Sequence, residues 1–197
     1  FILMHHLNFE NQSDLDRYFT QNSFPLQMKL VILAKFLKSE LQKKHLSSNN
    51  SKMNVPDHEI NTIKDYKNIF FENLSCFIQE LTFDSKELLK FTNLSAIQTC
   101  LGLLIFLSQN FLKNSMKIPF FNAQSLLQNH LISLQTQITD NLDVGSLNLS
   151  ESCKVLLILV GSQLKVLIDF IEIEKSLNMP VKNNQTGPFV DLIAKLF

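Results

Sequence analysis

Arginine is nearly missing from this chain: Arg17 is the only one among 197 residues. The planar guanidinium fork is the usual reader of phosphates and base edges, so its scarcity argues against nucleic-acid recognition. Net charge points the same way. Eighteen basic and eighteen acidic side chains cancel to a formal charge of zero, whereas a general polyanion binder carries a basic excess. Glycine is also scarce, at four residues, which leaves little material for a phosphate-cradling loop. No dinucleotide fingerprint, Gly-rich phosphate loop or Gly-x-Ser-x-Gly elbow is present.

Cysteine is sparse and odd in number. Cys76, Cys100 and Cys153 lie far apart inside apolar helical patterns, which reads as buried reduced thiols in an intracellular chain, cytoplasmic or nuclear. Sequons occur at Asn11, Asn49, Asn73, Asn93, Asn148 and Asn184. In a chain so rich in Asn and Ser they arise by chance, and Asn73 falls within a predicted helix. No basic n-region with a small-residue cleavage site marks a signal peptide. The chain opens on Phe1 and closes on Asp191-Leu-Ile-Ala-Lys-Leu-Phe197, inside apolar helical patterns. The expectation is one all-helical domain over 1–197, belonging to a larger protein.

Also missing is any sustained period-two alternation of β-branched residues, so no sheet is expected. What the sequence has instead is a 45% hydrophobic share laid out at three- and four-residue steps. Leu26, Leu30, Leu33, Ala34, Leu37 and Leu41 predict a helix over 25–45, with Pro25 at its start and Phe36 widening the apolar face. Lys29, Lys35, Lys38, Lys43 and Lys44 are placed on its other surface. The polar stretch 46–56 reads as a linker or exposed loop. Ile60, Ile63, Phe70, Leu74, Phe77, Ile78 and Leu81 predict a second helix from Asp57. Asp84-x-x-Glu87 resembles a capping box for a short helix ending near Phe91.

Asn93 or Ser95 is the expected cap of a further helix to about Asn114, striped by Ile97, Cys100, Leu101, Leu104, Ile105, Phe111 and Leu112. After Pro119, a helix over 122–141 carries Ala123, Leu127, Leu131, Leu134 and Ile138. Asn148 or Ser150 caps a long helix to about Leu177. Its run Val155-Leu-Leu-Ile-Leu-Val160 is apolar in every direction, which predicts burial all round. Gly161, Ser162, Gln163, Lys165 and Asp169 interrupt it well short of the ~20 apolar residues of a membrane span. A last helix is expected from Pro188.

These helices group as 25–45 with 57–81, 95–114 with 122–141, and 150–177 with 188 onward. Successive antiparallel pairs suggest an irregular α-solenoid of the HEAT or armadillo kind, without any repeat consensus. A closed multi-helix bundle is the alternative.

Few residues offer chemistry. His5 and His6 are adjacent and so project to different helix faces, whereas a helical metal site uses i, i+4 spacing. His45, His58 and His130 have no neighbouring ligand. Cys153 sits near a helix start, where a thiol pKa can fall, but packing accounts for it equally well. Asp14 and Asp16 read as caps. Lys165 with Asp169, and Asp191 with Lys195, are at i, i+4 spacing. No catalytic, cofactor or metal site is therefore expected.

The residues that suggest binding are junction aromatics, Phe24 before Pro25 and Phe120-Phe121 after Pro119, together with the Lys35 and Lys38 face. They suit a protein partner. The function expected is a non-catalytic helical scaffold or interaction domain of a larger intracellular protein or complex. The rivals are a self-contained bundle acting as an effector or regulator, and a helical portion of an enzyme.

Overall fold

A computed structural model describes residues 24–48, 57–113, 124–144 and 149–178, with side chains over 24–43, 66–110, 124–142 and 149–176. The described residues form helices and no strand. The helices are α1 (Leu26–Ser48), α2 (Asp57–Phe83), α3 (Ser85–Leu88), α4 (Phe91–Lys113), α5 (Ser125–Val144) and α6 (Glu151–Asn178). The first three residues of the predicted 46–56 linker thus belong to α1; 49–56 lie outside the described residues. So do Phe1–Phe9, Arg17 and the helix expected from Pro188.

Local chemistry sets the helix ends. Pro25 donates no backbone hydrogen bond but its carbonyl accepts from the Met28 and Lys29 amides at 3.0 and 3.2 Å, opening α1. Asp84 caps α3: its carboxylate accepts from the Lys86 and Glu87 amides at 2.9 and 3.3 Å. Ser150 caps α6, its hydroxyl accepting from the Cys153 amide at 3.3 Å.

The expected cap of the fourth helix is corrected. α4 begins at Phe91, so Asn93 and Ser95 lie within its first turns. Lys90 occupies the cap position, its carbonyl accepting from the Asn93 and Leu94 amides at 3.0 Å each. The Asn93 side chain reaches back instead, donating to the Glu87 carbonyl at 2.8 Å. That carbonyl also accepts from the Lys90 amide at 3.2 Å, so the end of α3 is held by two donors.

The packed pairs run in a cycle. α1 packs on α2, α2 on α5, α5 on α6, α6 on α4, and α4 back on α1, with α3 tucked between α2 and α4. The expected partnership of 25–45 with 57–81 is present as α1 on α2, and Phe36 meets Tyr66 edge to face at 5.6 Å. The expected pairing of 95–114 with 122–141 is not among the extensive contacts. α4 turns to α6 and α1, and α5 turns to α6 and α2. The third expected pair involves residues outside those described.

One apolar core fills the cycle, including Leu33, Leu37, Phe70, Leu74, Ile97, Leu101, Leu131, Ile138, Leu157 and Leu164. The stretch Phe91–Asn110 of α4 is long and apolar enough to cross a membrane by length and composition. Its Leu94, Ile97, Leu101 and Leu104 are buried against α1 and α6, so core packing accounts for that apolarity.

Two glycines tune the approach of α6. A Cβ at Gly161 would stand 3.2 Å from Cγ2 of Ile138 on α5. At Gly102 of α4 the nearest atom is Nε2 of Gln163, at 3.9 Å. Gly161 is therefore the more crowded of the two positions.

Candidate interaction surface

α6 carries two apolar stripes, and only one is covered. Cys153, Leu157, Val160, Leu164, Leu167 and Ile171 recur at four- and three-residue steps and are buried. They form the seam against α4 and α5. Round the other side, Val155, Ile158, Leu159 and Val166 are 62, 57, 43 and 39% exposed. The expectation that Val155–Val160 is enclosed on every side is overturned. Its packed neighbours α4 and α5 cover the inner flank, and among the described residues no helix covers these outer side chains. Ser162 sits within this outer stripe and its hydroxyl donates to the Ile158 carbonyl at 3.0 Å.

Charged groups border the stripe. Glu151 precedes it and pairs with Lys154 at 2.8 Å, with the carboxylate side chain 86% exposed. Lys165, Asp169 and Glu172 follow along the same side. Lys165 and Asp169 are spaced for an i, i+4 contact, but the ion pairs Glu40–Lys43, Glu87–Lys90 and Glu151–Lys154 form at i, i+3.

The residues singled out from sequence are not gathered on this surface. Phe24 is half-buried beside the start of α1. Phe120 and Phe121 lie outside the described residues. Lys35 and Lys38 are exposed on α1, and the Lys38 ammonium rests 6.0 Å from the centre of the Phe106 ring on α4. Lys43 is held by Glu40 at 2.7 Å. The lysine face is thus partly spent on contacts within the chain. Two aromatics that sequence reasoning passed over, Phe83 and Phe91, are exposed on either side of α3, Phe83 by 82%. Both stand at helix junctions, the same signal that drew attention to Phe24 and Phe120.

Polar groups inside the molecule gather on α5. Ser75 Oγ of α2 lies 2.9 Å from Nδ1 of His130, a hydrogen bond whose donor depends on the imidazole tautomer. Gln137 donates to the Thr82 carbonyl, a second link from α5 to α2. Nε2 of Gln128 and the side-chain oxygens of Gln135 and Gln137 are buried without a protein partner. A serine beside a histidine raises the question of nucleophilic chemistry. Here Ser75 is buried, and no described carboxylate bonds to the imidazole to orient it as a base. The pair ties two helices together.

The thiols divide. Cys100 is buried in α4, where desolvation pushes its thiol well above the ordinary range, toward the neutral form. Cys153 is also buried, but Cys76 is exposed on α2, contrary to the expectation for all three. All are free. Lys67 is lowered from its ordinary value by burial. Among the described residues no three His, Cys, Asp or Glu side chains stand close enough to hold a metal ion. Comparison of the chain with protein-family models, with curated proteins and with solved structures finds no match.

Proposed function

We propose that this chain is a non-catalytic helical interaction domain of a larger intracellular protein, binding a protein partner through the outer face of α6. The observation that carries the reading is the exposed stripe of Val155, Ile158, Leu159 and Val166 on a long, well-capped helix. Clustered apolar side chains left in water mark an interface more often than chance, and a helix face of this spacing suits a groove or another helix. A protein partner is favoured over nucleic acid by the fate of the lysines, since Lys38 stacks over Phe106 and Lys43 pairs with Glu40. The free, exposed Cys76 thiol favours a reducing compartment.

The arrangement we favour is the closed bundle over the solenoid. A solenoid stacks each pair only on its neighbours along the chain. The α1–α4 and α2–α5 contacts pass over intervening helices and return the packing to its start. The test is affinity capture from cell lysate, comparing the wild-type chain with Ile158→Glu and Leu159→Glu. Loss of a retained protein with either substitution, in a chain of unchanged helicity, supports the reading. Retention of the same proteins by both variants moves the binding face elsewhere.

A further inference from the structure

We infer that the α6 stripe is covered by a segment of this same chain, residues 188–197, folded back along the outer face of α6 in the antiparallel sense. The inference rests on reading that stripe as a binding face. Residues 179–197 lie outside those described; their sequence, the end of α6 and the outer stripe fit one another.

Pro188-Phe-Val-Asp-Leu-Ile-Ala-Lys-Leu-Phe197 has the spacing of an amphipathic helix opened by proline. On a helix, Phe189, Leu192, Ile193, Leu196 and Phe197 fall within an arc of about 140°, with Asp191 and Lys195 opposite. A helix this short does not hold its shape alone in water, so it needs an apolar surface to lie on. The α6 stripe is such a surface, and among the described residues no helix covers it. Between Val155 and Val166 the only charged residue is Lys165, at the border of the stripe; Glu151 and Asp169 lie beyond its two ends.

Length and tether set the direction. A helix over 188–197 is about 15 Å long, and Val155 to Val166 spans about 16 Å of α6. α6 ends at Asn178, about 18 Å along its axis from Val166. The stretch from Asn178 to Pro188 is broken by Pro180 and can extend to about 33–36 Å. It brings Pro188 to the level of Val166 with slack, and the segment then runs on toward Val155. A parallel arrangement would start at Val155, about 35 Å along the axis from Asn178 and a further 8–10 Å to the side, which is the limit of that reach. The tether keeps the two apolar faces at a high effective concentration, which a separate partner has to match. Ordering the segment offsets most of what the contact contributes, so it covers the stripe while adding little to global stability, and a partner can displace it.

Disulfide trapping reads the contact directly. In the full 197-residue chain, Cys76→Ser removes the exposed thiol. Ser162→Cys is then paired either with Ile193→Cys, on the apolar side of the segment, or with Asp191→Cys, on the opposite side. Closure within one chain should be about tenfold faster for 162 with 193 than for 162 with 191, because a disulfide requires its two Cβ atoms to come within about 4 Å. Leu159→Glu should slow the first pair to the rate of the second, with unchanged circular dichroism showing that the variant is folded.

Equal closure of the two pairs, the behaviour of a loose tail, overturns the inference, as does a 162–193 rate indifferent to Leu159→Glu. Disulfides that form between chains rather than within one also overturn it and give the stripe to a second copy. Failure here is distinct from failure of the functional reading. A loose tail on a chain that still loses a captured partner with Leu159→Glu keeps the binding face and rejects the segment.

Discussion

Two apolar stretches of similar composition meet opposite fates in this molecule. In α1, Leu30, Val31, Ile32, Leu33 and Ala34 are five consecutive residues, pointing round more than a full turn, and every one is buried. In α6, Val155 to Val160 is just as apolar, yet Val155, Ile158 and Leu159 stand in water. Local sequence does not separate them, because no charged residue interrupts either 30–34 or 155–160. The difference lies in which sides the neighbours cover. α1 packs between α2 and α4, and α6 between α4 and α5, but only in α1 does the described packing bury every side of the apolar run. Apolarity reports that a surface seeks cover, and topology decides whether the same chain supplies it.

The sharpest way to break this comparison is to put one charge into each stretch. Val31→Asp places a carboxylate at a site only 5% exposed. The uncompensated charge should cost more than about 4 kcal/mol and leave little folded protein. Val155→Asp, at a site 62% exposed, should move stability by no more than about 0.5 kcal/mol. Urea denaturation followed by circular dichroism measures both. Equal losses would mean that α6 is as enclosed as α1.

Truncation asks the same question with a smaller effect and also separates the two sides of α6. Leu33→Ala in α1 and Leu164→Ala on the inner side of α6 both empty fully buried sites. Each should lose about 2–5 kcal/mol. Ile158→Ala on the outer side should fall within about 0.5 kcal/mol of wild type. A large loss at Ile158 would show that the stripe is firmly covered in solution, and its dependence on protein concentration would assign that cover to a second copy.

Glycine-to-alanine changes sharpen the account of how α6 is seated. In a helix, alanine is favoured over glycine by about 1 kcal/mol. At Gly102 the added methyl meets nothing nearer than 3.9 Å, so Gly102→Ala should gain close to that amount. At Gly161 it would press on Ile138 Cγ2 at 3.2 Å, and Ile138 is completely buried with little room to shift. Crowding of a packed core costs about 1–3 kcal/mol, so Gly161→Ala should be neutral to destabilising. Opposite signs in thermal melts would support the close α5–α6 crossing; equal gains would show that it relaxes freely.

Most of the helical layout was legible from spacing alone. The stripes Leu30–Leu33–Leu37, Phe70–Leu74–Ile78, Ile97–Leu101–Leu104 and Leu127–Leu131–Leu134–Ile138 are buried as their periodicity implies. Asp84 and Ser150 cap as their side chains predict. Partner choice was not legible. That α4 prefers α6 and α1 to the helix that follows it depends on the summed fit of whole faces, and neighbouring sequence carries no record of it. The candidate surface was hidden for the same reason. Val155, Ile158 and Leu159 read as core until their neighbours are known. Lys35 and Lys38 read as a free face until Phe106, sixty-eight residues beyond Lys38, comes beneath the ammonium.

That last contact gives the smallest effect and the finest test of what α1 shares with α6. Lys38 and Lys165 are both exposed lysines on long helices, but only Lys38 has a described aromatic ring beneath it, at 6.0 Å. Replacing each with Gln keeps most of the aliphatic stem and removes the charge. An exposed cation–π contact at the edge of its range contributes about 0.5 kcal/mol, so Lys38→Gln should lose about that much and Lys165→Gln essentially nothing in the monomer. Salt discriminates further, because a contact made in water between a charge and a ring weakens as ionic strength rises. If Lys38→Gln proves silent at low salt, the ring does not hold the ammonium. Lys38 would then be as available to a partner as Lys165, and the lysine face of α1 would regain its place beside the α6 stripe as a binding surface.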